Sequence, residues 1–344
     1  MRRKYVAFGE VMLRLKSKDH HRLFQSPDLE ASFGGGEANV AVSLSILGEH
    51  AQFVTALPDN AIGEACEREL RKYGVDCSAI SKVKDGRLGI YFLETGANQR
   101  PSEVVYDRSF SAISEVRAGD FDFKSIFKDA YWFHVTGITA AISQGAADAV
   151  LESLKTAKSM GVIVSIDLNY RSKLWKYGKK PSEVMRQLLE YADVVIANEE
   201  DIQKSLGIEM DVDVDSGSLK REAYEKLCER VKVEFPNVSV VAVTLRESKS
   251  ADCNAWSAVL SGRDGFYLSR RYEIEDIVDR VGGGDSFSAG LIYALSHYED
   301  EDYCINFAVA ASCLKHSIEG DFNLSTLSEI ESLASGFGTG RVRR

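Results

Sequence analysis

The stretch of the chain best suited to chemistry is Asp279-Arg280-Val281-Gly282-Gly283-Gly284-Asp285-Ser286-Phe287. Phe287, Leu291 and Leu295 fall at i, i+4 and i+8, the spacing of one helix face. Three glycines opening a helix leave a row of backbone N–H groups at the positive end of its dipole, a device suited to phosphate. An acid in the first helical turn then stands beside the bound phosphoryl group, where it can take the proton of an attacking hydroxyl. On spacing alone, the same letters also describe a tight turn with Asp285 as a helix cap.

A second run, Gly34-Gly35-Gly36-Glu37-Ala38-Asn39-Val40-Ala41, again places glycines before a helix, with Val40, Leu44 and Leu47 on its apolar face and Gly48 beyond. Small residues let a substrate approach the backbone. Asn39 offers donors and acceptors that suit hydroxyl groups, or it bonds backbone within a strand-to-helix turn. Two familiar phosphate loops are absent. No GxxxxGK[ST] string occurs, and GxGxxG fails because Phe287 and Asn39 stand where its third glycine belongs.

These turns need a scaffold, and the apolar pattern supplies one. Tyr5-Phe8, Phe53-Ala56, Trp132-Val135, Val162-Ile166, Val194-Ala197 and Val238-Leu245 read as short buried strands. Stretches of helical period lie between them, such as Ala38 to Leu47 and Ala146 to Ala157. The alternation predicts a three-layer α/β/α fold with a mostly parallel central sheet, and ligands at the carboxyl ends of its strands. Leu13 to Phe33 and Leu88 to Ile113 break the rhythm. Ile90-Glu94 and Val104-Arg108 alternate as strands with one wet face do. The expected organisation is therefore a core of residues 1–12, 34–86 and 115–344, with a small β-sheet lid of residues 13–33 and 87–114. Asp211 to Ser218 reads as an acidic surface loop, and Gly336 to Arg344 as a flexible basic end.

A hydrophobic fraction of 44% with 27% charged residues is that of an ordinary globular chain. The net charge of −10 disfavours nucleic acid as a partner, because phosphate backbones reward clustered Lys and Arg. Six scattered cysteines with no CxxC spacing read as free thiols in a reducing cytoplasm. Met1-Arg2-Arg3-Lys4 is followed by Gly9-Glu10 and Arg14, which break any signal-peptide core, and no run is long enough for a membrane span.

Together the two glycine runs resemble the signatures of the PfkB (ribokinase-like) carbohydrate kinases. The amino-terminal pattern GG-x-x-x-N-x-A matches from Gly34-Gly35 through Asn39 and Ala41 to Gly48. The carboxy-terminal pattern DTxGAGDxF matches Asp279 to Phe287, with Arg280 for the usual Thr and Gly283 for the usual Ala. The resemblance covers essentially the whole chain. It implies a ribokinase-like fold, ATP and Mg²⁺, Asp285 as catalytic base, and Gly282, Gly283 and Gly284 as an anion hole. A third family element, NxxE, reads Asn198-Glu199-Glu200-Asp201, so Glu199 or Asp201 would order the metal through water. Asn169, Asn198, Thr244 and Arg246, with Gly282 and Gly284, fall on the nucleotide side.

The finer pattern is similar to the kinases of 2-keto-3-deoxygluconate. The strings that carry it are Gly9 to Leu15, Gln99-Arg100-Pro101, Val105 to Arg108 with Ser111-Ala112-Ile113, Asp167 to Arg171, and Thr244 to Glu247. The likeness implies that Tyr91, Tyr106, Arg108 and Arg171 contact substrate, with Gly34, Gly35 and Asn39 below and Asp321 at the border. Arginine suits a sugar-acid carboxylate, which it can grip with two hydrogen bonds. Arg14, Arg100 and Arg280 receive no role. The expected product is the 6-phosphate. The rival readings are a kinase of a neutral sugar such as fructose or ribose, and a non-catalytic binding protein that kept the fold. Exposed lid strands also invite pairing into a homo-oligomer.

Overall fold

Alternate residues of the central strands serve opposite cores. In β1 (Lys4–Phe8), Tyr5 and Ala7 join one apolar cluster while Val6 and Phe8 join the other. β10 (Val194–Ala197) and β11 (Val240–Ser248) alternate in the same way. A strand buried on both faces reads as an unbroken apolar run, which is why these segments stand out in the sequence. The computed structural model describes residues 2–209 and 221–337. The acidic loop Asp211–Ser218 and nearly all of the tail after Gly336 lie outside them.

The remaining strands are β2 (Met12–Ser17), β3 (Leu29–Gly34), β4 (His50–Pro58), β5 (Ile80–Val83), β6 (Gly89–Glu94), β7 (Glu103–Asp107), β8 (Ala130–Thr136), β9 (Ile163–Asp167), β12 (Asn254–Ser261), β13 (Phe266–Leu268) and β14 (Tyr272–Ile274). The helices are α1 (Gly36–Ile46), α2 (Ala61–Lys72), α3 (Phe123–Ile126), α4 (Gly137–Ile142), α5 (Gln144–Ser159), α6 (Pro181–Leu189), α7 (Glu199–Leu206), α8 (Arg221–Glu234), α9 (Gly283–His297), α10 (Glu301–Lys315) and α11 (Leu327–Ala334).

The main sheet runs β13-β12-β11-β10-β9-β8-β1-β4-β5. It is parallel from β5 to β11. It then ends in an antiparallel edge in which β12 pairs with β11, β13 and β14. The sequence pattern does not announce that edge, because β12 (NAWSAVLS) mixes serine and asparagine with apolar residues of every size despite full burial. One core packs α1, α9 and α10 on the sheet, and the other packs α5, α6 and α8 on the opposite face. The strands also outrun their apolar runs. Thr136 and Asp167 extend β8 and β9 at their carboxyl ends, where ligands bind in such sheets.

A separate four-stranded sheet runs β3-β2-β6-β7. Its register puts Ser32, Arg14, Tyr91 and Tyr106 in one row. The opposite face carries Phe33, Leu13 and Ile90 in one row and Ala31, Leu15, Phe92 and Val105 in the next. The polar row faces the main domain. The row of Ala31, Leu15, Phe92 and Val105 faces outward, with Val105 44% exposed, whereas Leu13 and Phe33 pack against the main core.

Candidate active site

The two glycine turns meet at one cleft of about 570 Å³, open at the carboxyl ends of the parallel strands. Gly282 has φ 83°, a conformation that favours glycine, and a side-chain carbon there would lie 2.0 Å from the carbonyl oxygen of Asp321. Ser312 Oγ donates a 2.7 Å hydrogen bond to the Gly283 carbonyl and fixes the turn. Gly284 faces open space, since a side-chain carbon there would meet nothing within 4 Å. The amino end of α9 is thus bare where an anion would approach its free N–H groups.

Asp285 sits in the first turn of α9, half-buried beside that bare backbone. Asn39 Nδ2 donates a 2.6 Å hydrogen bond to Asp285 Oδ2, and Asn39 Oδ1 accepts one of 3.1 Å from the Gly35 amide. Loss of water raises the Asp285 carboxyl from 3.8 to about 6, against the opposing effect of the Asn39 bond. An acid poised there is ionised at neutral pH, yet it is a far better proton acceptor than a surface aspartate.

Asp321 wedges between the two glycine turns. Its carboxylate fills the space a Gly34 side chain would need, at 2.0 Å, and its backbone does the same at Gly282. Arg14, 1% exposed, pairs with Asp321 at 2.7 Å and with Asp279. Tyr91 O–H reaches both Asp321 oxygens, at 2.6 and 2.7 Å. Asp321 and Tyr91 border the cleft, but they spend their polar atoms on each other. Gly34 lies behind Asp321 rather than on the cleft wall. Arg108 also borders the cleft and pairs with buried Glu10, which accepts a further 2.6 Å bond from Ser111 Oγ. Arg171 is exposed, and its guanidinium donates to the Tyr170 carbonyl at 2.8 Å. Gly35, Asn39, Tyr106 and Arg171 share the cleft with Asp285.

The other side of the cleft holds Asn169, Asn198, Glu199, Asp201, Thr244 and Arg246. Asn169, two residues past the end of β9, takes φ 37°, an uncommon backbone for any residue but glycine. Asp201 closes a capping box on α7. Its Oδ2 accepts from the Asn198 amide at 3.2 Å and its Oδ1 from the Tyr170 amide at 2.9 Å. Burial raises it to about 6. Burial raises Glu199 as well, against the charge of Arg246.

Two acids here escape sequence reasoning. Asp167 ends β9, accepts from Ser288 Oγ at 3.1 Å, and is held well above the usual carboxylate range by burial and then by the charges of Asp201 and Asp285. Glu37 is 1% exposed and accepts from the Thr136 amide, Thr136 Oγ1 and Thr139 Oγ1 at 2.7 to 2.9 Å, and burial lifts it to about 7. Glu37 lies inside the Gly34–Ala41 run and was readable as a polar residue on an apolar helix. Asp167 opens the Asp167–Arg171 string, but nothing in the string gives it a role. Among the described residues no group of three or more His, Cys, Asp or Glu side chains is gathered to grip a metal directly.

The sequence pattern of the pfkB family of carbohydrate kinases matches residues 2–323. A 2-dehydro-3-deoxygluconokinase of known crystal structure from Thermotoga maritima is 48% identical, with TM-score 0.92, over 98% of this chain and 99% of its own. A PfkB family carbohydrate kinase from Listeria grayi is 32% identical, with TM-score 0.87, over 97% of this chain and all of its own. A 2-dehydro-3-deoxygalactonokinase of Haloferax volcanii is 31% identical over 99% of each chain.

Proposed function

Since the chain belongs to the pfkB family of carbohydrate kinases, we propose that it transfers the γ-phosphoryl group of ATP to the 6-hydroxyl of 2-keto-3-deoxygluconate. The carrying observation is Asp285, with its raised carboxyl, held by Asn39 next to the bare amino end of α9. The hydroxyl proton passes to Asp285 as the new O–P bond forms, and ADP leaves with the electrons of the broken bond. The Gly283 N–H already donates to the Arg280 carbonyl at 3.3 Å, so the Gly284 N–H takes most of the charge on the transferred oxygens. Positioning supplies most of the remaining rate.

The donor set fits a magnesium ion held through water, with Glu199 on the cleft wall and Asp201 behind it. Both Asp201 oxygens already accept backbone bonds, which leaves them suited to hydrated rather than direct contact. When bound, the ion would offset phosphate charge near Asp167, Asp201 and Asp285.

On the acceptor side, Arg171, Tyr106 and Arg108 hold the carboxylate and hydroxyls. Gly35 and Asn39 form the floor, while Tyr91 and Asp321 set the wall. The small sheet, residues 13–33 and 87–114, acts as a lid over the core of 1–12, 34–86 and 115–344. Its tip already touches the nucleotide side, where the Ala251 amide donates a 2.8 Å bond to the Asn98 carbonyl. Closure there would keep water from the phosphoryl group. The outward apolar row of that sheet, Leu15, Phe92 and Val105, suits a second copy of the chain, giving a homo-oligomer through the lid. Six free cysteines accord with a cytoplasmic protein.

The deciding measurement is ADP release across 2-keto-3-deoxygluconate, its galactonate epimer, fructose, ribose and adenosine. Best turnover on the gluconate acid is expected. Best turnover on fructose or ribose would overturn the sugar-acid reading.

A further inference from the structure

Arg280 stands where the family's signature has threonine, and Arg246 falls on the side of the cleft expected to take the nucleotide. The two positions meet. Arg246 on β11 is directly opposite Trp256 on β12, so both side chains leave the same face of the sheet. Asn254 lies two residues before Trp256 and shares that face. Arg280 Nη2 donates a 3.1 Å bond to Asn254 Oδ1. Arg246, Trp256 and Arg280 all line the cleft that holds Gly282, Gly283 and Gly284.

This corner is rich in donors and poor in acceptors. Trp256 is 6% exposed and Asn254 fully buried. Trp256 Nε1, Asn254 Nδ2 and Arg280 Nε are buried with no hydrogen-bond partner among the described residues. A buried donor without an acceptor costs stability, and two neighbouring guanidinium groups repel. Burial and the charge of Arg246 both disfavour the charged form of Arg280. His316 adds no positive charge, because burial pushes it down to about 4, but its ring packs 5.6 Å from the Trp256 ring and holds the indole in place. Glu199 is the acid whose carboxyl feels Arg246, across the same cleft. An oxyanion set between Arg246, Arg280 and the indole N–H would satisfy the orphan donors and relieve the repulsion together.

The place in the fold says which oxyanion. β11 stands four strands from β1, on the order of 20 Å at the usual strand spacing. The small sheet with Tyr106 and Arg108 joins the core beside β1, so a sugar carboxylate is gripped at that end. The glycine row lies between the two ends. We propose that Arg280, with Arg246 and the Trp256 indole N–H, forms a clamp for the phosphate chain of the nucleotide, additional to the glycine row. This rests on the kinase reading above and extends it to a residue that departs from the family's pattern. The clamp ties nucleotide affinity to the phosphates more than to the base.

The test is calorimetric binding of inorganic tripolyphosphate, ATP and adenosine to the full chain without sugar, for the wild type, Arg280→Thr and Arg280→Gln. Glutamine keeps a polar amide near Asn254 while removing the charge and the guanidinium fork. Both variants should bind tripolyphosphate about tenfold more weakly, the size of one charge-assisted hydrogen bond. Their affinity should fall less steeply with added salt. Adenosine binding and the KM for the sugar acid should stay within about twofold. Unchanged tripolyphosphate affinity in whichever variant folds would overturn the clamp. So would a raised sugar-acid KM with unchanged ATP binding, since Arg280 would then serve the carboxylate. If the wild type binds tripolyphosphate through Arg280 yet phosphorylates nothing in the substrate panel, the clamp stands and the kinase reading falls.

Discussion

Asn39 and Asp285 lie 246 residues apart in sequence and 2.6 Å apart in the fold, joined by one hydrogen bond between amide and carboxylate. The bond links the two glycine turns, because Asn39 also accepts from the Gly35 amide. The Gly34–Gly36 turn therefore orients the acid of the other turn. Any shift of α1 against α9 would move the Asp285 carboxylate, the proposed base, within the cleft.

Replacing Asp285 with Asn keeps the shape and removes the proposed base. A fall in kcat of about a thousandfold is expected with little change in either KM, the size of general-base effects. Near-wild-type turnover would show that another group takes the proton. The same variant should be more stable. The folded carboxyl is raised from 3.8 to about 6, so the folded state binds this proton more tightly than the unfolded chain does. Its contribution to stability is full below 3.8 and is lost as pH rises through about 6. Urea unfolding should find Asp285→Asn more stable at pH 7.5 by about 3 kcal/mol at most, converging with the wild type toward pH 4.

Asn39→Ala removes the donor that favours the ionised acid. The acidic limb of the kcat/KM profile, expected near pH 6 in the wild type, should move upward. An unmoved limb would mean that Asn39 orients Asp285 without tuning it.

Arg14 is the hidden anchor of the small sheet. Arg14→Met would leave Asp279 and Asp321 buried without their cation, which should cost about 3–5 kcal/mol in urea unfolding. Tyr91→Phe removes only the hydroxyl bonds to Asp321 and should cost about 1–2 kcal/mol. A mild Arg14→Met would show that the pair is not needed to seat the sheet.

The outward face of the small sheet should behave as an interface between copies. Phe92 and Val105 sit opposite each other in the register, beside Leu15. Phe92→Asp should yield a smaller species in sedimentation velocity than the wild type. If both sediment as monomers at micromolar concentration, this face is not an interface between copies.

Much of this fold was legible because its signals are local. Val194–Ala197 reads as a strand in the sequence and is one in the structure with the same bounds. The alternation over Ile90–Glu94 and Val104–Arg108 marks β6 and β7 to within a residue or so. The glycine turns are legible for the same reason, since each packs its chemistry into a few consecutive residues. What stays hidden is pairing over distance. Nothing in the letters ties Arg14 to Asp279 and Asp321, or Arg108 to Glu10, because a buried ion pair leaves no periodicity behind. Asp167 is hidden differently. As the polar end of an apolar strand it looks like the strand's boundary, and only the sheet shows it beside Asp201 and Asp285.

Arg108 carries a prediction that separates substrate contact from support. It pairs with Glu10, whose carboxylate is 2% exposed, so Arg108→Met strands a buried charge and should cost about 3–5 kcal/mol. A loss of activity in that variant would be ambiguous alone. In Glu10→Met/Arg108→Met no stranded charge remains, and most of the stability should return. If Arg108 touches the sugar acid, the double variant should still show a KM for that substrate raised about tenfold or more, with the KM for ATP within about twofold. Recovery of the substrate KM together with stability would make Arg108 a partner of Glu10 alone, and the carboxylate would then fall to Arg171.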